Sequence, residues 1–168
     1  MDGGDFPAVF VSRTSKGNKR MTITIRPLQP SDRAAWEPLW AGYQRFYEVV
    51  IPPETTNLTW SRFQDPGEDM HALGAFDDSG RLVGIVHAIF HRSTWLPKYT
   101  CYLQDLYVDD TQRGLGTGAA LIDAVADLAR ANGAGRLYWM THETNATARR
   151  LYERIAERSG FIQYRKPL

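Results

Sequence analysis

Between residues 109 and 122 the chain reads DDTQRGLGTGAALI. Gly114, Gly116 and Gly118 follow the strand-like run TCYLQDLYV. They precede a run in which Ala120, Leu121, Ala124, Val125 and Leu128 recur at helical spacing. Glycine at the mouth of a helix costs conformational entropy, and it is explained where something must lie against the backbone. A helix start with unpaired amides attracts an anion. A Walker loop is excluded, because no Gly-Lys-Ser/Thr ending follows. Gly114, Gly116 and Ala119 match the spacing of a dinucleotide fingerprint. However, about a hundred residues precede the loop, and Glu143 lies far downstream for a ribose-binding acid. The pattern Arg113-x-x-Gly116-x-Gly118 reads best as a pyrophosphate cradle made of main-chain amides, against a plain glycine-rich turn as the alternative.

Working outward, Gly133 stops the helix that runs from about Thr117 to Asn132. RLYWM reads as a strand, ETNATARRLYERIAERSG as a helix ending at Gly160, and FIQYRK as a last short strand. Upstream, MTITIRPL alternates cleanly from Met21. Ser31 and Asp32 offer N-cap chemistry for a helix bearing Trp36, Leu39, Trp40, Tyr43, Phe46 and Tyr47, with Pro38 inside it. IPPETT breaks that pattern, and TNLTWSRFQD reads as a second short helix. MHALGAF and RLVGIVHAIFH form strands joined through DDSGR as a hairpin turn. The expected fold is a single α/β (α+β) domain. Residues 1–20 are expected to be a flexible N-terminal extension, or alternatively to place AVFV as a short strand that pairs with a partner. Residues 21–168 are expected to form the domain.

Composition narrows the function. With 168 residues, 43% apolar and 23% charged, the chain has the means to bury one sizeable core. A net charge of +1 provides no global field for nucleic acid or an anionic membrane, so neither is expected as a partner. No apolar run is long enough to span a bilayer, and the first twenty residues lack a secretory core. Cys101 stands alone, which excludes an internal disulfide and a cysteine-rich metal site, so a cytoplasmic location is expected. His71, His87, His91 and His142 show no metal-ligand spacing, and no metal is expected. Cys101 reads as a small buried hydrophobe.

The segments LQDLYVDDTQRGLGTGAALI, RLYWMTHETNATARRLYERIAERSGF and ITIRPLQPSD resemble the GNAT family of N-acetyltransferases, from about Met21 to the C-terminus. The C-terminal part is most similar to the branch containing the yeast histone-and-other-protein acetyltransferases. The resemblance implies a mixed, mostly antiparallel central sheet with helices on both faces. Two strands of that sheet splay apart to admit the arm of coenzyme A. It implies acetyl-CoA as co-substrate, with direct transfer of acetyl to a primary amine of a small molecule or a protein. Cofactor contacts would then come from Leu106, Tyr107, Val108, Arg113, Gly114, Leu115, Gly116, Thr117, Gly118, Asn145, Ala148 and Tyr152. The Val108 N–H would bind the acetyl carbonyl. Tyr152, in Asn145-x-x-Ala148-x-x-Leu151-Tyr152, would protonate the departing thiolate. A homodimer is also implied.

The base is less defined. Where polyamine acetyltransferases of the family often read Leu-Glu-Asp, this chain has Leu103-Gln104-Asp105, and Gln104 takes no proton. Asp105, Glu48 and Glu143 are the candidates for base or amine contact, with a base acting through water as another route. Adjacent residues of a regular strand face opposite sides, which separates Asp105 from Gln104. Tyr43, Phe46, Tyr47 and Trp60, with Trp95 from a loop, are expected to shape the acceptor pocket, although helical spacing also suits most of them to a core. Two other functions fit the loop: an acyl-CoA-binding domain without turnover, and a Rossmann-like nucleotide binder.

Overall fold

A computed structural model describes residues 9–14 and 20–168. Six strands form one sheet in the order β1 (Val9–Thr14), β2 (Arg20–Pro27), β3 (Met70–Phe76), β4 (Leu82–His91), β5 (Thr100–Val108) and β6 (Arg136–Trp139). Every neighbouring pair is antiparallel except β5 and β6, which run parallel. The parallel pair needs a crossover, and the glycine loop with α3 (Thr117–Ala131) supplies it. Helices α1 (Arg33–Phe46) and α2 (Pro53–Gln64) cover one face, while α3 and α4 (Ala146–Ile155) pack on the other. The mixed, mostly antiparallel sheet with helices on both faces is therefore as the sequence leads one to expect.

The local chemistry explains most boundaries. The β3–β4 hairpin turns where the Asp77 carboxylate accepts the N–H groups of Ser79 and Arg81, at 3.0 and 3.1 Å. Asp32 does not cap α1 forward. Its carboxylate instead accepts the Gln29 N–H at 2.7 Å and pairs with Arg26 at 2.6 Å. Helix α1 continues through Pro38 to Phe46. IPPETT separates α1 from α2, and its prolines also open α2 ahead of TNLTWSRFQD, because a proline in the first turn lacks only an amide that has no helical partner. Gly42 lets α1 lie close on β5: a β-carbon there would fall 2.6 Å from the Tyr107 ring. Leu121 on α3 is fully buried, which contributes about 2 kcal/mol by area.

Two expectations at the C-terminal end change. Helix α4 ends at Ile155 rather than Gly160, with the Ala156 N–H to Tyr152 O as its closing bond. Beyond Ile155 no side chain is buried, so nothing holds the polar AERS segment against the sheet. FIQYRK forms no strand, and residues 156–168 have no regular structure. At the other end, Val9–Thr14 pairs with β2 of the same chain, from Val9↔Ile25 to Thr14↔Arg20. The rest of the 1–20 extension lies outside the described residues. Among the described residues, no helix is long and apolar enough to cross a membrane.

Candidate active site

The parallel pairing of β5 with β6 runs only from Thr100↔Arg136 to Leu103↔Trp139, while β5 continues along β4 to Val108. Residues 104–108 thus have an open edge, the splay anticipated above. The Asp109 N–H donates to Val83 O at 2.9 Å, toward β4. Successive strand amides point to opposite edges, so the N–H groups of Val108 and Leu106 face the gap. Tyr107 turns its side chain to the α1 face, while Leu106 and Val108 pack toward α3.

The glycine loop ends beside this gap. Gly114 and Gly116 have φ of 77° and 87°, a left-handed conformation that side chains disfavour. Gly116 is the N-cap of α3 and offers no capping side chain. The first helical bond is Ala120 N–H to Gly116 O, which leaves the amides of Thr117, Gly118 and Ala119 without helical partners. Thr117 Oγ1 and Gln112 Oε1 are buried with no hydrogen bond. A β-carbon on Gly118 would lie 3.9 Å from both Val108 and Leu151, so α3, β5 and α4 meet there. Arg113 folds back: its Nε donates to Val108 O at 3.3 Å, and its guanidinium pairs with Asp110 at 2.7 Å. Orphaned polar atoms beside unpartnered amides fit a phosphorylated cofactor. Leu115 is half-buried in the same loop.

Helix α4 closes the far side. Asn145 caps it, accepting the Ala148 N–H at 3.2 Å, while its own amide donates to Thr141 Oγ1 at 3.2 Å. Tyr152 packs edge-on against Trp139, with ring centroids 5.4 Å apart. Burial, with a smaller contribution from Tyr47, pushes its phenol up to about 12, so it holds its proton at neutral pH.

Phe46, Tyr47 and Glu48, at the end of α1, face His142, Thr144 and Asn145 across a cavity of about 410 Å³. Glu48 is exposed at its rim with φ of 54°, a left-handed conformation that costs a non-glycine residue about 1 kcal/mol. Glu143 is also exposed, paired with Arg158 at 3.3 Å. Tyr43 is stacked on Trp40 at 5.2 Å. Burial, and then the nearby Asp105 carboxylate, hold the Tyr43 phenol well above its ordinary range. Two expected pocket residues lie elsewhere. Trp60 is core, 4.9 Å from the Trp36 ring. Trp95 belongs to the loop at the end of β5 opposite Val108 and packs on Phe161.

Asp105 departs from the strand rule. His87 pairs with Asp105, but Ala88 pairs with Leu103, so Gln104 is an extra residue, a β-bulge. Cys101 and Leu103 face the α3 core, and Asp105 would follow them in a regular strand. The bulge turns it to the α1 face, where its Oδ2 meets His87 Nδ1 at 2.9 Å. The other ring nitrogen, Nε2, accepts the Trp36 indole N–H at 3.0 Å. Sequence reading missed His87 and Trp36 as a pair of polar partners. The available signal was one histidine inside the apolar strand LVGIVHAIF, since a buried imidazole requires partners.

These features agree with comparisons to known proteins. Residues 36–156 match the model of the Acetyltransferase (GNAT) family. The chain is 34% identical over 145 residues to the D-amino-acid N-acetyltransferase HPA3 of Saccharomyces cerevisiae, covering 86% of this chain and 90% of that protein. It is 29% identical to the uncharacterized N-acetyltransferase YhfO of Bacillus subtilis, over 84% of this chain and 95% of the relative. The crystal structure of a ribosomal-protein-alanine N-acetyltransferase from Brucella melitensis superposes with a TM-score of 0.73 at 26% identity, over 87% of this chain and 99% of that one. With a splayed strand pair, an amide cradle and a buried tyrosine gathered at one gap, and with these relatives, the chain belongs to the GNAT family and is an acyltransferase.

Proposed function

We propose that this protein transfers acetyl from acetyl-CoA to a primary amine of a small molecule. The observation that carries the reading is the gap beyond Leu103 and Trp139, with the Val108 N–H facing it and α4 bringing Tyr152 to its far side. The amides of Gly116, Thr117 and Gly118, with those of Arg113 to Leu115, are assigned to the pyrophosphate. Leu106, Tyr107, Val108, Asn145 and Ala148 are assigned to the pantetheine arm. When bound, acetyl-CoA supplies the electrophilic carbonyl carbon and a thiol leaving group.

The chain's own residues then have separate tasks. The Val108 N–H stabilises negative charge on the carbonyl oxygen. Asp105 takes the first proton from the acceptor's ammonium group and leaves the lone pair on nitrogen. Tyr152 Oη gives its proton to the departing sulfur and regains one from the acylated nitrogen, so the phenol is restored. Glu48, exposed at the rim of the cavity, is assigned to contact with the acceptor rather than to proton transfer. The name of the yeast relative, a D-amino-acid N-acetyltransferase, supports a compact acceptor of amino-acid size.

The test is thermal stabilisation by acetyl-CoA, CoA and NAD, followed by thiol release with a panel of amines and amino-terminal peptides. A ligand that binds only the folded state raises the melting temperature by mass action. Stabilisation by both CoA species but not by NAD, with thiol release on small amines, is the expected result. Binding without turnover on any amine leaves a CoA-binding domain, and preference for peptides moves the acceptor to a protein. We further assign the protein to the cytoplasm and to a homodimer. The buried lone Cys101 supports the first. Phe161, Ile162 and Tyr164, 78%, 72% and 87% exposed in one copy, support the second. Light scattering of the full chain tests the assembly, and a monomer at micromolar concentration overturns it.

A further inference from the structure

We infer that His87 and Trp36 are positioning residues that hold Asp105 as an anionic seat for the acceptor's ammonium group. This rests on the reading of the splay as the site of transfer. An indole N–H only donates, so His87 Nε2 must accept from Trp36. The imidazole proton then sits on Nδ1 and is donated to Asp105 Oδ2. The chain of hydrogen bonds has one direction, from Trp36 through a neutral imidazole to the carboxylate, and no alternative tautomer satisfies both bonds.

All three members are buried, at 0%, 1% and 8% exposure. The box around His87 is aromatic: Trp36, Trp40 and Phe63 lie at ring distances of 5.9, 5.3 and 4.6 Å. A carboxylate removed from water ordinarily sits beside an arginine or lysine. Among the described residues, the arginines that form ion pairs do so with Asp32, Glu37, Glu68, Asp77, Asp110, Asp127, Glu153 and Glu143, and none with Asp105. His87 therefore fixes the direction of Asp105 without neutralising its charge. What the site lacks is a cation with N–H donors, which is what a primary ammonium group provides.

The surroundings describe the rest of that ligand. Tyr43 lies beside Asp105, Tyr47 is 4.9 Å from the Tyr43 ring, and Tyr47 in turn lies near Tyr152. This row of phenols leads from the carboxylate toward the proton donor. It suits a compact amine whose cationic head is flanked by aromatic faces. The step itself is one proton: R–NH₃⁺ and the Asp105 carboxylate become R–NH₂ and the Asp105 carboxylic acid.

The first test needs no turnover. In the full chain without acetyl-CoA, nitrogen-15 NMR of His87 is expected to show the Nδ1–H tautomer. Titration with methylammonium chloride is expected to shift that signal saturably. Sodium chloride and the Asp105→Asn variant should give no such shift. The Nε2–H tautomer, or no response specific to methylammonium, overturns the inference.

The second test compares His87→Asn, which keeps an N–H donor near the Nδ1 position, with His87→Leu, which has none. His87→Leu should lower kcat/KM for the amine by about 10- to 100-fold, the scale of a lost hydrogen bond to a charged group. Acetyl-CoA affinity should be unchanged. His87→Asn should recover most of the loss even where both variants melt equally early. Equal losses in the two variants mean a structural role only and overturn the inference. Failure of the wild-type chain to bind acetyl-CoA would instead sink the acetyl-transfer reading, and it would leave the NMR result intact.

Discussion

The two faces of the sheet are packed with different materials. Under α3 the core is mostly aliphatic and small, with Val83, Val86, Ala88, Leu121, Val125 and Leu128 beside a single buried aromatic, Phe90, while the buried histidine and carboxylate lie on the other face. Under α1 and α2 it is aromatic, with Trp36, Trp40 and Phe63 around a buried histidine that is bonded to a carboxylate. The α3 face supports a loop whose work is done by backbone amides. The α1 face supports side-chain chemistry. On the function proposed above, the difference divides the labour: the cofactor would be held by the shape of the main chain, and the acceptor would be read by groups that are buried, oriented and paired.

Four results would break or sharpen that contrast. The largest is Leu121→Ala, which empties the centre of the aliphatic core. It should cost about 3 kcal/mol of stability in urea unfolding, with kcat preserved in the folded fraction. A comparable loss of kcat would show that the α3 face is not merely a support. Next, Tyr152→Phe should reduce kcat by about 100-fold, the usual contribution of general acid catalysis, with little change in stabilisation by acetyl-CoA. Unchanged turnover would return Tyr152 to the core.

Smaller again, Gly116→Val forces a branched residue to φ of 87° and should weaken acetyl-CoA binding by about tenfold, measured by calorimetry. The KM of the amine should stay constant, and a change confined to that KM would reverse the assignment of the two faces. The smallest effect is alkaline. Burial pushes the Cys101 thiol from 9.0 up to about 12 and the Tyr152 phenol from 10.0 up to about 12. The folded chain keeps protons that the unfolded chain releases, so stability falls as pH rises from about 9 to about 12. Cys101→Ala should delay the onset of that fall to about pH 10 in denaturation curves taken at stepped pH. An unaltered onset would show that the thiol is not what resists ionisation.

How far the sequence carries is explained by the same contrast. The helix-opening glycine loop is legible because Gly114, Gly116 and Gly118 are neighbours in the chain, and the structure places Gly114 and Gly116 at positive φ with Gly116 as the N-cap of α3. The strands and helices of the sheet were readable from period alone. Trp36, His87 and Asp105 are distant in the chain, and only the tertiary register brings them together. The bulge at Gln104 has no residue signature, so strict alternation along β5 does not reveal that Asp105 turns to the α1 face. Trp60 obeys a helical period equally well as core or as pocket lining, and only packing decides. The C-terminal run FIQYRK has the look of a strand, yet it pairs with no neighbour even though β6 ends the sheet with its outer edge open, so residue pattern alone does not make a strand.

The single extra residue in β5 also sets what kind of change the site tolerates. Gln104 is exposed, and its side chain takes no part in the Trp36–His87 or His87–Asp105 bonds. Replacing it alters one surface amide. Removing it would leave a regular strand in which Leu103 faces α3, Asp105 next to it still faces α1, and Leu106 and Tyr107 keep their faces. Flattening the bulge with the residue still present is the damaging change, because Asp105 would then follow Cys101 and Leu103 into the aliphatic layer. At this position the faces of the strand survive a deletion, and what they require of residue 104, while it is there, is that it stay out of the ladder.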